Sequence, residues 1–406
     1  TDDSVYEGNE TGIVAISNVS GGSATESGTQ SVTITISENE SAPTVTLTSS
    51  ASSIAENAGS SLTLTATLSV ATTADVTVAI GTSGTGTEGT DYTDGSGNID
   101  DIVISAGATT GTVSFTPTDD TIYEGNETGI VAIDTVSGGS ATEDGTQSVT
   151  ITITENESSP TITLTSSASS IAENTGSSLT LTATSSIVAD EDITVSISTS
   201  GTGTEGTDYS TISDITISAG ATTGTASFTP SDDSVYEGNE TGIVDISGVS
   251  GADAAESGSQ SVTITITENE SSPTVTLTTS ATSIAENAGT SLTLTATISQ
   301  EADEDVTVNL GAAGTSTNGT DYGSISSITV SAGATTGTVS FTPSDDSIYE
   351  GNETAVISIS SVSGADAAED GTQSVTITIT ENESAPTVTL ATSATTIAED
   401  SGSTLT

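Results

Sequence analysis

The stretch SLTLTATLS, residues 61–69, sets an apolar Leu or Ala and a hydroxyl residue in strict alternation. A period of two places every apolar side chain on one face of a strand and every hydroxyl on the other, the pattern of a half-buried β-strand. The same alternation returns on either side. TVTLT precedes it at 44–48, and DVTVAI (75–80), DIVIS (101–105), GTVSFT (111–116), TGIVAID (128–134) and QSVTITIT (147–154) follow. Clusters of Gly, Ser, Asn and Asp separate these runs, and those residues build turns. Seven short, β-branched strands in about 110 residues predict an immunoglobulin-like sandwich with Val, Ile and Leu inside and Thr facing water. No helix is needed. Regular T-x-T arrays on a flat face can also bind ice or crystal surfaces, but Thr is in any case the polar residue best suited to the wet face of a strand.

This unit repeats. YEGNET begins at Tyr6, Tyr123, Tyr236 and Tyr349, at intervals of 117, 113 and 113 residues, and Pro43, Pro160, Pro273 and Pro386 keep the same intervals. The extra residues of the first interval follow Asp91-Tyr92, where TDGSGNIDDIVIS replaces the STISDITIS found after Asp208-Tyr209, as an insertion in a surface loop would. With the prolines as boundaries, complete modules span 44–157, 161–270 and 274–383. Residues 1–40 are then the C-terminal part of a module and 387–406 the N-terminal part of another. Links such as Ser158-Ser159-Pro160 are short and stiffened by proline. The expected architecture is all-β: tandem seven-stranded antiparallel sandwiches set head to tail as a rod.

Charge comes next. The 406 residues include 56 Asp and Glu but no Lys, Arg or His, for a formal charge of −56. Two like charges 4 Å apart repel by about 1 kcal/mol in water and about 4 kcal/mol near a protein surface. A fold that gathers many of them has to import cations. Such a chain does not pair with nucleic acid or an anionic membrane. Disorder, the other common outcome of acidity, is inconsistent with the sustained period of two. Without His, Cys or Lys most routes to nucleophilic and acid–base catalysis are closed, and the seven Tyr and three Phe suggest no sugar cleft, so no enzyme is expected. No apolar run reaches the length of a membrane span, and the absence of a signal peptide at Thr1 reads as an excerpt of something longer.

Strand parity then places the acids. If seven strands alternate in direction, the segments after strands one, three, five and seven share one end. In module 44–157 those segments carry Glu56 (in IAEN), Asp91 (in GTDY), Asp119, Asp120, Glu124 and Glu127 (in DDTIYEGNE), and Glu155 and Glu157 (in ENE). Module 161–270 repeats them as Glu173, Asp208, Asp232, Asp233, Glu237, Glu240, Glu268 and Glu270. Module 274–383 has Glu286, Asp321, Asp345, Asp346, Glu350, Glu353, Glu381 and Glu383. The end fragments contribute Asp2, Asp3, Glu7, Glu10, Glu38 and Glu40, and Glu399. Scattered acids such as Asp75 or Glu88 are ordinary solvated residues, whereas four motifs converging on one end call for a partner. Hard carboxylate oxygens in this number suit Ca²⁺, which takes six to eight of them in flexible geometry.

The succession IAEN, GTDY, F-x-P-x-DD-x-x-YEGNE and an acidic triplet after TITIT resembles the Calx-β family, across every complete module and both end fragments. The resemblance implies a Ca²⁺ site at the end of the sandwich that bears these motifs. Two departures lower what it implies for ion number. The closing triplet is Glu-Asn-Glu where better-known calcium-binding members have Asp throughout. The third residue of the acidic run is Ser4, Thr121, Ser234 or Ser347 rather than Asp. Fewer or weaker ions are expected, and a four-ion site is not carried over.

An odd strand count sends the two termini of a module to opposite ends, so the acidic end meets the next module near Asp190-Glu191-Asp192 or Asp303-Glu304-Asp305. The expected function is an extracellular, Ca²⁺-rigidified stalk or fibre of a large adhesin or matrix filament, each module adding about 40 Å. Its partners are Ca²⁺, the neighbouring modules of the same chain and identical chains of a filament. A Ca²⁺-sensing regulatory module and a glycan- or surface-binding module are the alternatives. The N-E-T and N-E-S sequons at Asn126 and Asn156 fall inside the acidic motifs, where a glycan would obstruct them.

Overall fold

The computed structural model describes residues 3–402, 404 and 406. In module 44–157 the strands are β1 (Thr44–Ser49), β2 (Ser53–Ala55), β3 (Leu62–Leu68), β4 (Ala71–Thr72), β5 (Val76–Gly84) and β6 (Tyr92–Thr93). They continue as β7 (Ile102–Ile104), β8 (Thr110–Pro117), β9 (Ile122–Tyr123), β10 (Glu127–Ser137), β11 (Thr142–Glu143) and β12 (Ser148–Thr154). One sheet runs β11-β1-β3-β8-β6 and the other β7-β5-β10-β12-β2. All seven expected runs are strands. The chief addition is β2, where the chain leaves the β1 sheet, crosses to the other and lies parallel to β12, pairing Ile54 with Ile153. The other two modules repeat the plan, and the one helical turn among the described residues is the 3-10 turn Glu173–Thr175.

Alternation fixes what is buried. Leu64, Ala66 and Leu68 of β3 are buried at 0, 0 and 3% exposure, while the threonines between them point outward. Three separate cores result, one in each of 44–157, 161–270 and 274–383. The aromatic centre of each is a stacked Tyr–Phe pair. Tyr92 and Phe115 lie 4.6 Å apart at 20°, and Tyr209–Phe228 and Tyr322–Phe341 repeat the arrangement. Gly129 backs the first ring, and a Cβ there would come within 2.7 Å of Phe115 Cζ.

The end segments differ from each other. Residues 10–36 form a hairpin, Glu10–Ala15 with Ser31–Ile36, as the last two strands of a module should. Residues 387–406, expected to supply the first two strands, hold none among those described. Val388 and Leu390 are fully exposed, whereas their counterparts Val275 and Leu277 are core. A strand needs a neighbour to satisfy its backbone and cover its apolar face.

Consecutive modules touch through a short parallel pairing. β9 pairs with Val188–Ala189 of the next module, and Tyr236 bridges to Ala302 in the same way. Val5–Tyr6 pairs with β4.

Candidate metal centre

The acids reach one end of each sandwich by way of backbone contacts. Glu56 follows β2, and its amide donates to the carbonyl of Thr154 at the end of β12 (3.0 Å), so IAEN and ENE become neighbours. Buried Tyr92 anchors the GTDY turn, and the amide of Thr118 donates to the carbonyl of Asp91 (2.9 Å), bringing the third and fifth segments together. The amide of Asp120 donates to Oε1 of Glu56 (3.3 Å). Carboxylate oxygens of Glu56, Glu155 and Glu157 consequently lie within 4.8 Å of one another, as do those of Asp91, Glu124 and Glu127. Glu173, Glu268 and Glu270 form the same group in the second module, and so do Asp208, Glu237 and Glu240. In the third module Glu286 meets Asp346 and Glu350, and Asp321 lies beside Glu353.

Within this cluster the glutamates have different tasks. Glu155 Oε2 accepts from the amides of Glu124 (2.7 Å) and Gly125 (2.9 Å), and its Oε1 accepts from those of Asn156 (2.7 Å) and Glu157 (2.9 Å). A carboxylate has about four lone-pair positions, and backbone amides fill all of them. Glu38, Glu268 and Glu381 accept from the equivalent four amides. These bonds to the charged form, with that from Glu383 foremost, hold Glu381 down at about 2. The sequence places this first glutamate of the triplet among the ligands; in the fold it lies in the acidic group and also props the YEGN turn. The sequon asparagines are structural as well: Asn126 Oδ1 accepts from the amide of Glu155 (3.0 Å), and Asn156 donates to Glu157 (2.9 Å).

The remaining acids carry charge that nothing in the chain offsets. Burial first, then the charges of Asp91 and Glu127, push Glu124 up to about 8. Burial and then Asp91 and Asp190 raise Glu127 to about 7. Glu56, only 5% exposed, is also raised to about 7, by burial and then by Glu155 and Glu157, against the lowering bond from Asp120. Glu157 Oε2 is buried without a hydrogen-bond partner, and so are Glu270 Oε2 and Glu383 Oε2. Three equivalent carboxylate oxygens, out of water and without a donor, are what an oxygen-seeking cation would satisfy. The donor set therefore fits Ca²⁺.

Some of the expected residues stand apart. Asp119, Asp232 and Asp345 are exposed at the rim; Asp119 acts on Glu157 through its charge. Asp3, Glu7, Glu10, Glu38 and Glu40 still line one pocket in the N-terminal hairpin. Asp2 lies outside the described residues, and Glu399 is exposed in the strandless C-terminal stretch, unlike its buried counterpart Glu286. The adjoining module adds to the field: Asp190 is itself raised by burial first and then by charges that include Glu191, Asp91 and Glu155. Asp303 behaves in the same way toward Asp208 and Glu268. At the first joint the corresponding residue is Thr73, which brings no charge.

The Calx-beta domain family matches residues 38–157, 155–270 and 268–383. Among solved structures, CBD12 from CALX1.2 is 15% identical and covers 55% of this chain and 100% of its own, with a TM-score of 0.25. Invasin, a bacterial integrin-binding protein, is 14% identical over 84% of this chain and 60% of its own, at 0.27. The Yersinia pseudotuberculosis adhesin InvE is 13% identical over 54% of this chain and 60% of its own, at 0.29. No curated protein matches the chain. With three consecutive matches over most of its length, on modules that repeat one sandwich and one acidic end, this chain belongs to the Calx-β domain family.

Proposed function

We propose that the chain is a structural stalk or fibre segment outside the cell, in which Ca²⁺ bound at the acidic end of each module stiffens the array. The observation that carries this reading is the orphaned oxygen repeated at Glu157, Glu270 and Glu383, set among glutamates whose ionised forms are disfavoured without a cation. In module 44–157 the ligands are Glu56, Asp91, Asp120, Glu124, Glu127 and Glu157, oriented by Glu155, and the later modules use their equivalents. Ca²⁺ would cancel the mutual repulsion of these groups. The location of the site supports a mechanical role, because the acids abut the following module and Asp190 or Asp303 faces them across the joint. Extracellular Ca²⁺ is abundant enough to fill weak sites, and a chain without Lys or Arg offers trypsin-like proteases no cleavage point.

Small-angle scattering and melting curves of the chain in millimolar Ca²⁺ and in EGTA test the proposal. Chelation is expected to lower the melting temperature and to broaden the distribution of interatomic distances as the joints loosen. Superimposable curves in the two conditions would refute it.

A further inference from the structure

The YEGNET tyrosine packs outside its own module. Tyr123 is 8% exposed, and the cluster that buries it is the core of the next module, with Ile162, Ala189, Ile193, Ala252 and Ile264. Tyr236 likewise packs against the core of module 274–383. Both are held from two directions. The amide of Asp190 donates to the carbonyl of Tyr123 (3.2 Å), and the Tyr123 hydroxyl donates to Asp253 Oδ2 (3.1 Å). For Tyr236 the corresponding bonds come from the amide of Asp303 (3.2 Å) and go to Asp366 Oδ2 (3.0 Å).

The acceptor lies in a left-handed turn that the equivalent positions Gly22-Ser23 and Gly139-Ser140 share. Ala252-Asp253 and Ala365-Asp366 hold φ values of 49, 47, 49 and 46°, a left-handed conformation unfavourable for residues other than glycine. The acceptor in each case is the second of these strained residues. At the first joint Ser140 takes the place of Asp253, and Tyr6 belongs to no core cluster. At the far end Ile348 and Tyr349 are 61% and 45% exposed, and among the described residues no socket receives them.

We infer that Tyr123 and Tyr236 complete the cores of the modules after their own, so that these adjacent modules fold as coupled neighbours through a contact that needs no ion. The second and third complete modules then draw stability from the module in front of them, and the joint keeps its register when Ca²⁺ is withdrawn. This coupling is of the nearest-neighbour kind that governs repeat proteins.

Hydrogen exchange on the full chain, read segment by segment in EGTA and again in Ca²⁺, tests the inference. In Tyr236→Ala, exchange should quicken by tenfold or more along 274–279 and 374–380, in the module that received the ring, and stay unchanged along 161–166. Tyr236→Phe keeps the ring and removes only the bond to Asp366, so its effect should be smaller and in the same place. Tyr349→Ala should change neither region. Protection lost only within 161–270, or lost equally on both sides of the joint, would overturn the inference, as would no change at all. Because the expected pattern is the same in EGTA, it stands or falls independently of whether Ca²⁺ fills the acidic centre.

Discussion

Replacing Glu56, Glu173 and Glu286 together by Gln should change stability with opposite signs in the absence and presence of Ca²⁺. In the metal-free chain Glu56 is 5% exposed and its carboxyl is lifted from 4.5 to about 7. A group whose folded pKa exceeds its unfolded value favours the folded state when protonated. The penalty for ionising it is therefore absent below about pH 4.5, grows as pH rises and is complete above about pH 7. A lift of that size corresponds to roughly 3 kcal/mol. Gln keeps an oxygen for the amide of Asp120 and carries no charge, so at pH 8 in EGTA the variant should be the more stable by about 3 kcal/mol in module 44–157, with a change of the same sign in the other two, where burial also raises Glu173 and Glu286. For domains of this length that is on the order of 10 °C in melting temperature. In millimolar Ca²⁺ the order inverts, because the ion that relieves Glu56 has lost a ligand. A site filled at about 100 times its Kd contributes roughly 2.7 kcal/mol, and that gain should shrink or vanish in the variant. Differential scanning calorimetry with and without the ion reads both halves. A variant that melts lower by the same amount in both conditions would refute the reasoning, since Glu56 would then be a packing residue indifferent to its charge.

The same lifted carboxyls give the metal-free chain an unusual pH response: its melting temperature should rise from pH 8 to pH 5 as Glu124, Glu127, Glu237 and Glu240, raised to about 8, 7, 7 and 7, take up protons. Below about pH 4.5 the trend reverses, because Glu381, held at about 2, contributes stability that is lost as it protonates. Protons compete with Ca²⁺ for the lifted groups, so calorimetric titration should show Ca²⁺ affinity falling over the range from pH 8 to pH 5. In the core, Phe228→Ala removes a fully buried ring stacked 4.6 Å from Tyr209 and should cost about 3–5 kcal/mol. Segment-resolved hydrogen exchange should locate the principal loss in module 161–270.

Strand parity was enough to find the acidic end, because it needs only the number of strands and their alternation. The seven runs were legible because each is long enough to show a period of two. Ser53–Ala55 is not: three residues, SIA, cannot display a period, and the crossing that joins Glu56 to Glu155 is visible only once both sheets exist. The role of Glu155 was hidden for a different reason. In sequence ENE shows two like carboxylates, but the turn at Glu124-Gly125 fills one with amides and leaves the other with an orphaned oxygen. Residues 387–406 have the right alternation, yet those described hold no strand, so pattern alone did not make one. The tyrosine of YEGNET was read as part of an acidic motif, and a contact that crosses a module boundary leaves no periodicity within the module to reveal it.

The parallel pairing of β2 with β12 has a consequence for a chain under load. Tension enters a module at Thr44, ahead of β2, and leaves beyond Thr154, at the end of β12. These two strands run the same way, so the pull drives them past each other along their length. The three residue pairs Ser53–Thr152, Ile54–Ile153 and Ala55–Thr154 are then sheared together, whereas a hairpin opened from its free ends yields one bond at a time. Each module therefore carries a short brake close to its acidic end. An ion held between Glu56 and Glu157, one residue beyond β2 and three beyond β12, would resist the same sliding motion.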